Sequence, residues 1–76
     1  MIQEHDLVVL TENLPDQALE AGDVGVVVHV YPGAEAFEVE FLTLNGETTA
    51  LATLRKHQLR SAGPRDIPHV RERLVA

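Results

Sequence analysis

A chain of 76 residues has room for one domain, and a domain of this size buries only about 60% of the surface of its unfolded chain. The formal net charge is −6, and the chain contains no cysteine, which excludes disulfides and thiolate metal sites. No apolar run approaches the ~20 residues of a membrane-spanning helix, and no basic segment precedes an apolar one at the N-terminus. We therefore expect a cytoplasmic protein without membrane association.

The charge is divided unevenly along the chain. Residues 1–54 carry ten acids and no lysine or arginine, whereas residues 55–76 carry all six bases and two acids. Proteins that bind nucleic acid usually present a basic surface, so the acidic body disfavours that function. Two explanations stay open: the basic tail lies against its own acidic body, or an acidic face meets a basic partner.

The first half of the chain reads as two strands joined by a long loop. Residues 6–11 are short and rich in branched side chains, which predicts a strand. Residues 12–21 are polar and interrupted by Pro15, and we expect Leu14 and Leu19 to anchor this loop in the core.

The run Gly22-Asp23-Val24-Gly25 predicts a sharp turn that opens the second strand, residues 24–31. A phosphate-binding loop is excluded because no helix and no lysine follow, and Asp23 would repel the anion. The predicted register directs three side chains inward, Val26, Val28 and Val30, and three outward, Val27, His29 and Tyr31.

The next two strands form the clearest hairpin. Residues 36–42 alternate between apolar and acidic side chains, and Asn45-Gly46 predicts a two-residue type I′ turn into a strand over residues 47–54. This register places Phe41 opposite Ala50, Val39 opposite Ala52 and Phe37 opposite Leu54, and across the Pro32 turn it places His29 opposite Glu38.

The last segment predicts a helical turn at residues 55–58 and a short fifth strand at Leu59-Arg60. Beyond a linker, Asp66 is a suitable helix cap, and Ile67, Val70 and Leu74 follow at helical spacing. We therefore expect a barrel over residues 1–61, and over residues 62–76 a linker and a short amphipathic helix that packs on the barrel or on a neighbouring subunit.

Several of these motifs together resemble a family of small bacterial proteins known as domain of unknown function 4926. The residues that carry the resemblance are Asp6-x-Val8-x-Leu10, Leu14-Pro15, Leu19-x-x-Gly22-Asp23-x-Gly25-x-Val27, Val39-x-Phe41, Gly46-Glu47-Thr48 and Leu54 to Leu59-Arg60. The resemblance implies a mostly β fold, a small five-stranded SH3-like barrel, and genes that accompany others of toxin–antitoxin type. It supplies no catalytic residues. More loosely, residues 19–28 are similar to a motif of ribosomal and transcription-factor barrels, which are usually basic.

No motif supports an enzyme. The four histidines show no metal-ligand spacing, and no serine or threonine stands beside a histidine in a defensible triad. Glu38 and Glu40 share an exposed strand face, which favours a solvated surface over an acid–base pair or a cation site. We predict no catalytic residue, no metal site and no cofactor.

The remaining candidate is the outer face of strands two to four, which we predict to bind a protein, in particular a basic one. Its residues are Val27, Tyr31, Glu38, Glu40, Leu42, Glu47 and Leu51. The sequence thus predicts a non-enzymatic protein-interaction module, such as the small partner or antitoxin-like member of a bacterial two-gene system. One alternative is an RNA- or ribosome-associated barrel that uses Arg55, Lys56, Arg60, Arg71 and Arg73. The other is a structural homo-oligomer, built by edge-strand pairing or by exchange of the terminal helices.

Overall fold

The computed structural model describes residues 1–73, which form one antiparallel sheet of five strands. The strands are β1 (Leu7–Leu10), β2 (Val24–Val30), β3 (Phe37–Leu42), β4 (Thr48–Leu54) and β5 (Leu59–Ser61), with 3₁₀ turns at Pro15–Gln17, Pro32–Ala34 and Lys56–Gln58. All five predicted strands are therefore present, each within one residue at either end.

The strand order is β4-β3-β2-β1-β5, so the first four strands form a meander and β5 returns beside β1. Within residues 1–73 no strand pairing joins β4 to β5, and the sheet is not closed. The fold is thus mostly β, as expected, but it is an open sheet where the sequence predicted a barrel.

One side of the sheet carries the core. Its buried members are Val8, Leu10, Leu19, Val27, Phe37, Val39, Phe41, Ala52, Leu54 and Leu59. Leu19 belongs to the loop between β1 and β2, here called the Pro15 loop (residues 12–23), and it is only 3% exposed. Leu14 packs against the same core. The prediction that both leucines anchor this loop is confirmed.

The glycine turn before β2 serves backbone geometry. Gly22 has φ +98°, a conformation that side chains with a Cβ rarely adopt. At Gly25, a Cβ would lie 2.5 Å from Cγ1 of Val39 and 3.0 Å from the carbonyl oxygen of Glu40. One glycine therefore permits the turn, and the other permits β2 to approach β3 closely.

A bulge in β2 overturns part of the predicted register. His29 lies opposite Glu38, as predicted, but one extra residue at Val28 shifts the pairing, so that Val27 lies opposite Val39. Val27 is fully buried and Val28 is 40% exposed, the reverse of the prediction. Val26, predicted inward, pairs with Glu40 on the opposite side, whereas Val30 packs against the core as expected.

The β3–β4 hairpin has the predicted core register but a different turn. Phe41 lies opposite Ala50, and the two further predicted pairs also form. The turn contains three residues rather than two, because Thr43 donates to the carbonyl of Glu47 and only Gly46 has positive φ, +88°. A bulge between the Phe41 and Leu42 pairs adds one residue to β4 and restores the register.

The predicted C-terminal helix does not form over residues 62–73, which have no regular secondary structure; Leu74, the last residue of its apolar stripe, lies outside the described residues. Asp66 caps no helix, since its carboxylate accepts hydrogen bonds from the backbone of Gly63 and from Arg60. Ile67 and Val70 are 89% and 73% exposed. A helix of about eight residues needs packing to form, and this segment, here called the tail (residues 62–73), is held by polar side-chain contacts instead.

Candidate interaction surface

The outer face, the side of the sheet opposite the core, carries a contiguous apolar patch. Its exposed members are Leu7, Val24, Leu42 and Leu51, whose exposed fractions are 54, 48, 42 and 52%. They lie on four neighbouring strands in register around Glu40, because Leu7 lies opposite Val26, Val26 opposite Glu40, and Glu40 opposite Leu51. Single exposed apolar residues are normal on a soluble protein, whereas a contiguous patch marks a binding surface.

Two half-buried carboxylates lie within this face. Glu38 accepts a hydrogen bond of 2.6 Å from the hydroxyl of Thr53 and one of 3.2 Å from the hydroxyl of Tyr31. Glu40 accepts one from the hydroxyl of Thr48. These donors fix the position of each carboxylate, and a carboxylate has further lone pairs with which to bind a cationic side chain.

His29 and Glu38 are opposite each other, but the described residues show no ion pair between them. The ring of His29 packs edge-on against Tyr31 instead, with 4.6 Å between the ring centroids. The two residues are therefore opposite in register, while the aromatic contact of His29 lies along its own side of the sheet with Tyr31, and it extends the outer face beyond the apolar patch.

The structure assembles most of the predicted partner surface and corrects one member. Val27 is buried in the core and is no part of any surface. Tyr31, Leu42 and Leu51 are exposed on the outer face, and Glu47 is exposed at the hairpin. Leu7 and Val24 are surface residues that the sequence reasoning missed. The alternation of β1 indicates Leu7, whereas Val24 was hidden by the bulge in β2.

The alternative basic surface is dispersed. Arg60 forms a bidentate pair with Asp66, with distances of 2.8 and 3.0 Å, and the Arg60 hydrogen bond lowers the pKa of Asp66 to about 2. Arg71 and Arg73 bind the Pro15 loop, and Arg55 and Lys56 are exposed at the end of β4. The five bases do not present one positive face.

The tail is tethered to the Pro15 loop by two arginines. Arg71 binds the carboxylate of Asp23 through Nε at 2.9 Å and Nη2 at 2.5 Å, and it also donates to the carbonyl of Ala18. Arg73 donates to the carbonyl of Gln17. Ala18 has φ +56°, which is unusual for a residue with a Cβ, so these donors hold a strained turn in place.

The tether also sets the acidity of Asp23. Partial burial acts to raise the pKa of this carboxyl, but hydrogen bonds from Arg71 and from the backbone of Glu20, with the charges of Arg71 and Arg73, outweigh it. The pKa is therefore lower than its usual 3.8. The contacts show that the tail lies against its own body, and they leave the carboxylates of the outer face without a basic partner within residues 1–73.

These features define a small, open, five-stranded antiparallel β domain with a tethered tail and an apolar outer face. Residues 1–73 contain no helix with the length and apolarity that crossing a bilayer requires. A family model described as Domain of unknown function (DUF4926) matches residues 4–61, and the chain belongs to this family. No curated protein and no solved structure matches the chain.

Proposed function

We propose that this protein is a non-enzymatic interaction module whose outer face binds a basic protein partner. The observation that carries the proposal is the contiguous apolar patch of Leu7, Val24, Leu42 and Leu51, which surrounds the charged side chain of Glu40. Within residues 1–73 each of these four side chains keeps 42–54% of its surface exposed, and binding would remove the cost of that exposure.

Charge supports a basic partner. Eight of the ten acids of residues 1–54 lie in the sheet and its loops, and three of these, Glu38, Glu40 and Glu47, lie on or beside the outer face. Long-range attraction steers a positively charged protein to such a surface and raises the association rate, while the apolar contacts slow dissociation. The expected binding is therefore salt-dependent in its association rate.

The same proposal includes the type of β fold and the biological setting of the protein. We infer an SH3-like barrel left open on one side, because the meander, the 3₁₀ turn before β5 and the return of β5 beside β1 follow that connectivity. A role as the small partner or antitoxin-like member of a bacterial two-gene system rests on the family resemblance alone.

The test compares one variant of the patch with one control outside it. A tagged copy is used to isolate a partner from the native cell, and the dissociation constant of that purified partner is then measured. Leu42→Asp, which places a charge in the patch, should weaken binding at least tenfold, whereas Ile67→Asp, on the exposed tail, should leave it unchanged.

Added salt should weaken the wild-type complex mainly through a slower association rate. Equal binding by Leu42→Asp and wild type, or an affinity that is indifferent to salt, would contradict the proposal. Because Leu42 is 42% exposed, its replacement should leave the fold intact, which thermal unfolding would check.

RNA binding is not proposed. Arg60 is neutralised by Asp66, and Arg71 and Arg73 are engaged by the Pro15 loop. That leaves Arg55 and Lys56 of the five predicted bases, which is a small footprint for binding phosphates.

A further inference from the structure

The two edges of the open sheet differ in how they are protected. β5 has three residues, carries Arg60 and runs into the tail, and short charged edges of this kind resist pairing with another strand. β4 has seven residues, Thr-Thr-Ala-Leu-Ala-Thr-Leu, with no charge and no proline. The bulge of β4 lies near Thr49, and residues 50–54 pair regularly with β3, so this part of β4 is the edge that is open to a further strand.

The backbone of β4 offers hydrogen bonds at this edge. The carbonyl of Leu51 accepts a bond of 3.2 Å from the side-chain amide of Gln17, so it points away from β3. In an antiparallel strand the N–H and C=O of one residue point the same way, and the orientation repeats every second residue. The backbone groups of Leu51 and Thr53 therefore face outward, and among the hydrogen bonds of residues 1–73 only that of Gln17 reaches them.

The charges that flank β4 select the partner. Glu47 immediately precedes the strand and Arg55 immediately follows it, and both are exposed. If two copies of β4 pair antiparallel about Leu51, the acidic end of each strand lies beside the basic end of the other. Parallel pairing would bring like charges together. The strand is thus complementary to a reversed copy of itself.

We propose that two copies of this chain associate through their β4 edges, antiparallel and about a two-fold axis that passes beside Leu51. The pairing continues the sheet from one copy into the other and places two Leu51 side chains side by side on a shared outer face. The amide of Gln17 releases the Leu51 carbonyl when the second strand arrives. This inference is independent of the proposed function, because it concerns the strand edge and a second copy.

Exchange of the two flanking charges tests the geometry. In sedimentation equilibrium the wild-type chain should show a monomer–dimer equilibrium that weakens with salt. Glu47→Arg and Arg55→Glu should each raise the dimer dissociation constant about tenfold, because each places like charges at both ends of the paired strands. The double variant should restore it, and an equimolar mixture of the two single variants should form a heterodimer.

Proline tests the backbone contacts. Thr53→Pro removes one outward-facing N–H without removing a hydrogen bond to β3, and it should abolish the dimer. Thr53→Val is the matched control, since it also loses the hydroxyl that binds Glu38 but keeps the N–H, and it should dimerise like wild type. Gln17→Met keeps the length of the side chain, removes the competing donor, and should strengthen the dimer.

Two results would overturn the proposal: a wild-type chain that stays monomeric at the highest soluble concentration, or a dimer unaffected by both charge reversals. Thermal unfolding of each variant would verify that loss of association is not loss of fold. A monomer that still binds a basic partner through Leu42 would reject this interface and leave the proposed function standing.

Discussion

Replacement of Gly25 by alanine should be the most damaging single-methyl addition in the sheet. A Cβ at this position would lie 2.5 Å from Cγ1 of Val39 and 3.0 Å from both the Glu40 carbonyl oxygen and Cε1 of Phe41. Ordinary contacts begin near 3.4 Å, so Val39 would have to move by almost 1 Å. Its side chain is fully buried, and the Glu40 oxygen belongs to the paired backbone, so neither can yield without disturbing β3.

We therefore expect Gly25→Ala to lower the free energy of unfolding by about 2–3 kcal/mol, the upper part of the range for overpacked cores. For a domain of this size that corresponds to roughly 4–8 °C in Tm for each kcal/mol. Urea unfolding monitored by circular dichroism would measure it. Gly22→Ala is the matched control: no atom lies within 4 Å of its Cβ, and it should lose only about 1 kcal/mol, from the strain of φ +98°.

Truncation of the clashing side chain gives a second check on the same reasoning. Val39→Ala creates a cavity by itself, but combined with Gly25→Ala it removes the 2.5 Å contact. The double variant should therefore be more stable than the sum of the single losses predicts, by about 1 kcal/mol. Additive losses, or a Gly25→Ala variant no less stable than Gly22→Ala, would refute the explanation from close packing.

Three further outcomes follow from the turn and the tether. Gly46→Ala should cost about 1 kcal/mol in urea unfolding because φ is +88° there, while Asn45→Ala should cost less, and equal losses would favour a two-residue type I′ turn instead. Because the pKa of Asp23 is lowered in the folded state, its charge contributes fully to stability above the usual pKa of 3.8, and this contribution is lost as the pH falls through the lower pKa of the folded state. The free energy of unfolding of Asp23→Asn should therefore fall less steeply than that of wild type between about pH 5 and about pH 3. Arg71→Met should lower the free energy of unfolding by about 1 kcal/mol and speed amide exchange in the tail and the Pro15 loop, and an unchanged exchange pattern would contradict the tether.

The sequence predicts the strands of this protein well because their signals are local. The alternation of apolar and acidic residues predicts β3, and Gly46 predicts the hairpin that pairs β3 with β4, even though the turn has three residues. Here two departures cancel: the turn is one residue longer than predicted, and the bulge near Thr49 adds one residue to β4. The core pairs therefore remained correct.

The sequence predicts the faces of β2 poorly because five of the residues between Val24 and Val30 are valine. Such a run gives no alternation from which to locate the extra residue at Val28, and one inserted residue turns the neighbouring side chains to the opposite face. The sequence therefore predicts Val27 on the partner surface, whereas this side chain lies in the core.

The prediction of a helix in the tail is wrong for a different physical reason. Its apolar spacing suits a helix, but its arginines find hydrogen-bond acceptors in the Pro15 loop about fifty residues away, and no local pattern reports a contact over that distance. Those carbonyls are available because Ala18 adopts a left-handed conformation, which only the folded structure reveals.

The return of β5 beside β1 has a consequence for how the chain folds. Each pairing from β1 to β4 joins neighbours in sequence and can form early, whereas the second edge of β1 waits for residues 59–61, which are distant in sequence. Until then the partly folded domain leaves the backbone of β1 unpaired at one edge, in addition to the edge of β4. This is the folding step at which we expect the chain to need protection from aggregation.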